Sequence, residues 1–318
     1  MPRILVVAPN WIGDALMAQP LLARLHEKVP GAELDMIAPE WVAAVARRMP
    51  EIRQVISAPL RHGALQLRER WTLGRALRQR RYDRAIVLPN SWKSALVPFF
   101  AGIPVRSGYV GESRYGLLNL LHRSETAPMR LHYARLAEAP GTDPAQPLPQ
   151  PRLRADPAAG AAAARRHGIR SPYAVLCPGA EYGPAKRWPY FRELAQRVDI
   201  EVVLLGSPKD AEAAHGIPGK NLIGKTTLDE AIDLVAGAAF VVSNDSGLMH
   251  VAAALERPQV ALFGSSSPRH TPPQSPAARV LWLGIECSPC FQRECPLGHF
   301  RCMRDIPVER VLSELHSL

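Results

Sequence analysis

The sequence predicts an α/β protein of two lobes with a cleft between them, and three observations predict it. Short, continuous apolar runs alternate with helix-length amphipathic segments, the pattern of a parallel sheet covered on both faces. That pattern stops at a proline-dense segment and then restarts. The 318 residues leave room for two domains of ordinary size.

In the first lobe, Ile4–Ala8 reads as a strand, and Ala15–Lys28 follows with Leu16, Leu21, Leu22 and Leu25 at helical spacing. Leu34–Ala38 is a second strand, Trp41–Arg48 a helix, and Ala85–Leu88 a third strand. Between Pro140 and Pro157 six prolines fall within 18 residues. Such a segment joins neither a helix nor a central strand, so it reads as a linker and divides the chain into 1–150 and 151–318. The second lobe then runs Tyr173–Cys177, helix Pro189–Val198, Val202–Leu205, helix Leu228–Ala236, Phe240–Val242, helix Gly247–Ala254, Val260–Phe263, Val280–Leu283 and a terminal helix Val308–Leu315. In such folds the cleft between the lobes is the default site.

Lys and Arg number 39 against 29 Asp and Glu, a net charge of +10. Residues 1–155 hold 22 basic and 12 acidic side chains, and residues 156–318 hold 17 of each, so the first lobe carries the whole excess. That lobe is expected to meet an anionic partner, be it nucleic acid, a membrane surface or a phosphorylated substrate. The longest weakly charged apolar stretch, Ser94–Val105, spans 12 residues and contains two prolines, where a membrane-spanning helix needs roughly 20. The N-terminal apolar run is too short for a signal peptide, so a cytoplasmic location is expected. The arginines between Arg61 and Arg84 read for the most part as a solvated helix face.

Several loops at strand ends carry chemistry. Pro9-Asn10-Trp11-Ile12-Gly13-Asp14 follows the first strand; Gly13 lets a ligand approach the backbone, and Asp14 reads either as a first-turn helix aspartate or as a general base. No G-x-G-x-x-G is present, which disfavours an ordinary dinucleotide fold. In Pro178-Gly179-Ala180-Glu181 through Lys186-Arg187-Trp188-Pro189, Lys186 is either a phosphate ligand or a solvated cation. Ser243-Asn244-Asp245-Ser246-Gly247-Leu248-Met249-His250 opens a helix whose free N–H groups suit a diphosphate, with His250 one turn in. Leu205 to Asp210, with Ser207 and Lys209, and Gly224-Lys225-Thr226-Thr227 are further strand-end loops able to line a nucleotide pocket. The pattern Cys287-x2-Cys290-x4-Cys295-x3-His299-x2-Cys302 has the donors of a structural zinc site at an irregular spacing; two thiol pairs or a loop staple read equally well.

The segments N-W-I-G-D-A-L-M-A-Q-P, P-G-A-E-Y-G-P-A-K-R-W-P, G-S-P-K-D and S-N-D-S-G-L-M-H-V-A-A-A-L occur in this order over residues 1 to about 270. In this the chain closely resembles the ADP-heptose–lipopolysaccharide heptosyltransferases, and within them the heptosyltransferase II group. The resemblance implies the GT-B architecture, with two Rossmann-like lobes, the N-terminal one for the acceptor and the C-terminal one for the nucleotide-sugar ADP-heptose. It implies Asp14 as base and Lys186 on the ADP phosphates. Asp245, Ser246 and Gly247 would cradle the diphosphate and heptose beside His250, with Thr226 near the adenine. On the acceptor side it suggests Lys93 and His132. Arg61, Arg106 and Arg114 join them on charge and loop position. The expected acceptor is the phosphorylated Kdo-lipid A/heptosyl core, met at the inner face of the inner membrane. The cysteine cluster stands apart from the family's motifs.

No paired-carboxylate motif adjoins the phosphate loops, so no obligatory catalytic metal is expected. A related transferase of heptosyltransferase I or III type is the alternative. A nucleic-acid binder is a different class, disfavoured by the absence of any helix-turn-helix, RRM, KH or zinc-finger pattern and by 6% aromatics. A nucleotide-sugar binder without turnover would have no use for Asp14 as a base.

Overall fold

The structure is a computed structural model and describes residues 1–61 and 63–318. The chain divides into two compact units, Met1–Pro151 and Arg152–Leu318.

The first unit holds six strands: β1 (Arg3–Val7), β2 (Glu33–Pro39), β3 (Gln54–Ala58), β4 (Arg84–Val87), β5 (Val105–Tyr109) and β6 (Leu120–His122). They form one sheet in the order β3-β2-β1-β4-β5-β6, every pair parallel. The second unit holds β7 (Tyr173–Cys177), β8 (Glu201–Leu204), β9 (Lys220–Asn221), β10 (Phe240–Asn244), β11 (Gln259–Phe263) and β12 (Ala278–Trp282). Its order, β12-β11-β10-β7-β8-β9, is the same doubly wound topology, again all parallel.

The central strands are apolar along their length because helices cover both faces: all five residues of β7 and of β11 are buried. The order of the strands reverses between β1 and β4 in the first sheet and between β7 and β10 in the second. Loops leaving the carboxyl ends at such reversals diverge and leave room for a ligand.

Local chemistry sets most boundaries. Helix Leu228–Ala236 starts where expected because Thr227 and Glu230 form a reciprocal capping box. Helix Gly247–Ala254 also matches, whereas Pro189–Val198 shortens to Phe191–Gln196. The expected single helix Ala15–Lys28 is instead two, Ile12–Met17 and Gln19–Lys28, parted at Ala18 ahead of Pro20, whose missing N–H is harmless in a first turn. Strands β3, β5, β6 and β9 lie toward the sheet edges, and their short or half-polar sequences carried no strand signal. No helix among the described residues is long and apolar enough to cross a membrane.

Candidate active site

In the second unit the switch point gathers a polar cluster. The loop after β7 carries Pro178 and Gly179, and the loop after β10 carries Asp245 and Ser246. Lys186, in the short turn Pro184–Lys186, places its Nζ 2.5 Å from Asp245 Oδ2, and the Ser266 hydroxyl donates to the same oxygen at 2.6 Å. Both members of the pair are sheltered, with side chains 15% and 7% exposed. Asp245 is thus neutralised by a cation and a hydroxyl, which removes the repulsion it would otherwise offer a diphosphate. Lys186 also sits over the Tyr182 ring, 4.9 Å from its centre.

Ser246 is the N-cap of helix Gly247–Ala254, in extended conformation and with no side-chain cap bond. The N–H groups of that first turn thus donate no bond to the cap side chain. His250 is buried one turn along, and burial pushes its imidazole down to about 4, with Asp245 opposing and Lys186 adding to the fall. It is a neutral ring at physiological pH.

Asn244 was not expected, and it ties the loops together. Its Nδ2 donates to the carbonyls of Pro178 and Gly179 at 2.8 and 3.3 Å, and its Oδ1 accepts from the Trp188 N–H at 3.0 Å. The sequence signal was an asparagine closing a Val-rich strand, a position where a buried amide must find backbone partners. Gly179 is required by close approach: a Cβ there would stand 2.0 Å from Asp210 Cγ. Asp210 itself caps its own turn, its Oδ2 accepting from the N–H and hydroxyl of Ser207, both at 2.8 Å. Lys209 is exposed and pairs with Glu181 at 2.7 Å. Thr226 lies in the half-exposed turn before helix Leu228–Ala236, and Gly224 of that turn donates to the Gly206 carbonyl at 3.1 Å. The two weaker loops therefore adjoin each other.

In the first unit a cavity of about 540 Å³ opens at the carboxyl ends of β1 to β4. Asn10, Arg61, Trp92, Lys93 and Glu112 line it. Arg70, buried, fastens its wall by donating to the carbonyls of Leu65 at 2.6 Å and Lys93 at 3.0 Å. Asp14 occupies the first turn of helix Ile12–Met17 and is half-buried. Tyr133, whose hydroxyl pKa is raised chiefly by burial, is raised further by the charge of Asp14.

Three residues expected on the acceptor side make their contacts within the lobe. Arg114 is 1% exposed and spends its guanidinium internally, on the carbonyls of Tyr109 at 2.6 and 2.9 Å and Pro89 at 2.5 Å and on the Ser94 hydroxyl at 3.3 Å. Burial lowers its pKa to about 10. Arg106 is likewise engaged by the carbonyls of Leu117 and Ile103, both at 2.6 Å. His132 is buried and stacked on Tyr109, ring centres 3.9 Å apart. A charge count cannot separate an arginine that brackets a loop from one that awaits a ligand. Of the predicted acceptor residues, the structure brings Arg61 and Lys93 together.

Residues 70–301 match the family model described as glycosyltransferase family 9 (heptosyltransferase). The chain belongs to that family. It is 45% identical to lipopolysaccharide heptosyltransferase 2 of Escherichia coli K12, over 99% of this chain and 98% of the relative. The solved structure of E. coli ADP-heptose LPS heptosyltransferase II superposes with a TM-score of 0.88 at 42% identity, covering 99% of this chain and 98% of that one. E. coli heptosyltransferase WaaC with ADP shares the fold, with a TM-score of 0.72 at 23% identity over 98% of this chain and 99% of that one. The protein is a glycosyltransferase with the two Rossmann-like lobes of the GT-B architecture, and its chemistry is heptosyl transfer.

Proposed function

We propose that this enzyme moves L-glycero-D-manno-heptose from ADP-heptose to the phosphorylated heptose/Kdo inner core of lipopolysaccharide, inverting the anomeric centre, as heptosyltransferase II does. The supporting observation is the Lys186–Asp245–Ser266 cluster beside an open helix N-terminus, in a chain nearly half identical to lipopolysaccharide heptosyltransferase 2.

Asp14 takes the proton of an acceptor hydroxyl, whose oxygen attacks C1 of the donor heptose. The bond from C1 to the phosphate oxygen breaks on the opposite face, and ADP departs with the electron pair. Lys186 and the backbone N–H groups after Ser246 stabilise the charge that grows on the leaving diphosphate. Asp245 and Gly247 hold the sugar and diphosphate, with neutral His250 packed behind them. Ser207, Lys209, Asp210 and Thr226 border the nucleotide, and Gly13 lets substrate approach the loop that carries Asp14. Arg61 and Lys93 meet acceptor phosphates, consistent with the basic first lobe. The enzyme works in the cytoplasm, at the inner face of the inner membrane.

Calorimetric titration with ADP, UDP and GDP, without added divalent metal, tests the donor assignment. ADP alone should bind. A preference for UDP or GDP would sink the ADP-heptose reading and leave the fold untouched.

A further inference from the structure

The segment from β12 to helix Arg301–Arg304 has no regular structure of its own. Residues 283–300 contain neither helix nor strand, and none of them is buried. Leu283 and Ile285 at its start pack against the core of the second unit, whereas Phe291 and Leu297 face outward, at 53% and 63% exposure. Beyond Ile285 the segment buries no apolar side chain that would offset the entropy lost in ordering its backbone.

The segment instead concentrates sulfur. Cys287, Cys290 and Cys295 lie within it and Cys302 just beyond, and all four are free thiols. All four line one cavity of about 20 Å³, room for a single ion or water. The Phe300 N–H points at Cys295 Sγ, 3.4 Å away. His299 Nδ1 accepts from the Arg301 N–H at 3.0 Å, which puts the proton of the neutral ring on Nε2, facing Cys287 Sγ at 4.0 Å. N–H groups aimed at cysteine sulfurs are the outer contacts that metal-bound thiolates take. Among the described residues no three His, Cys, Asp or Glu side chains are so placed that they could hold a metal ion. The cysteine side chains must turn into the cavity that they line.

We propose that Cys287, Cys290, Cys295 and Cys302 bind one thiophilic transition-metal ion, zinc or iron, as four thiolates, each sulfur releasing its proton as its bond to the metal forms. His299 donates to the Cys287 sulfur and is not a ligand. The ion staples the loop, and the loop in turn braces the donor side. Arg293 O accepts from the Ala185 N–H at 3.0 Å, the Phe291 N–H donates to Ser265 O at 2.7 Å, and the Ser288 hydroxyl donates to Gly264 O at 2.6 Å. These contacts hold the backbone beside Lys186 and beside Ser266. The bracing role rests on the donor reading above; the metal site does not.

The test is elemental analysis of the full chain, purified without chelator under reducing conditions. It should hold close to one zinc or iron per chain, and the analysis itself tells which. Serine at Cys287, Cys290, Cys295 or Cys302 should empty the site, while Cys177→Ser and His299→Gln should keep the metal. Should a serine variant fail to fold, Cys290→His restores a ligand and should restore both folding and metal. A metal-free chain that takes up no Zn²⁺ from micromolar ZnCl2 would overturn the site, as would two disulfides found by mass spectrometry in protein kept anaerobic. Removing the metal should weaken ADP binding about tenfold, and re-adding Zn²⁺ should restore it. Unchanged ADP affinity overturns the bracing role. A metal-loaded chain that never binds ADP overturns the donor assignment instead.

Discussion

Lys186 Nζ lies 2.5 Å from Asp245 Oδ2, across 59 residues of chain, and the Ser266 hydroxyl donates to the same oxygen. The pair orients an ammonium at the switch point of the second sheet while cancelling the nearest negative charge.

That relationship separates a structural from a ligand-binding role for Lys186. Lys186→Met leaves a sheltered carboxylate without its cation, which should destabilise the fold by about 3–5 kcal/mol. Adding Asp245→Asn removes the stranded charge and should recover most of that loss, with ADP affinity still reduced. Chemical denaturation and ADP titration on both variants check this; a double variant with normal ADP affinity would remove Lys186 from the phosphate site.

Asp14→Asn should lower turnover by about 10²–10⁴-fold, the range of a lost general base. Because Asp14 belongs to the unit distinct from the one carrying Lys186, ADP affinity should stay within about twofold. Initial rates with donor and acceptor decide it, and near-normal turnover would end the base assignment.

Gly179→Ala should be costly. Its new Cβ would stand 2.0 Å from Asp210 Cγ and 2.6 Å from Asp210 Cβ, so no rotation of the carboxylate relieves the clash. A loss of about 1–3 kcal/mol is expected from overpacking, together with weaker ADP binding as the loop after β7 shifts. A denaturation midpoint equal to the parent's would show that the loop yields freely.

The buried imidazole of His250 sets a pH dependence. Its pKa falls from 6.5 to about 4 on folding, so between those values the unfolded chain binds a proton that the folded chain refuses. Stability should therefore drop as pH falls from 6.5 toward 4, by at most roughly 3 kcal/mol from this group, and be unaffected by it above 7. His250→Gln should flatten that slope. Parallel slopes for the two proteins in urea melts at pH 7, 6, 5 and 4.5 would exclude the histidine as their source.

Helix Leu228–Ala236, strand β7 and helix Gly247–Ala254 fall at the residues that the sequence marks, because capping boxes and continuous apolar runs act between near neighbours in the chain. The strand-end loops with Asp14, Lys186 and Asp245 were visible for the same reason. Arg114 was not legible: the same residue type serves a surface or an inner bracket, and only the carbonyls of Pro89 and Tyr109 decide which. Nor did the irregular cysteine spacing reveal that all four sulfurs line one cavity.

By itself, then, the sequence determined two parallel α/β lobes, the excess charge of the first and the polar loops at the strand ends. Tertiary structure alone decided which of their residues meet. Asn244 became a staple, Asp245 the partner of Lys186, and Asp210 a cap beneath Gly179. Periodicity and capping depend on residues a few positions apart, whereas a buried polar group takes its partner from whichever loop the sheet order brings beside it.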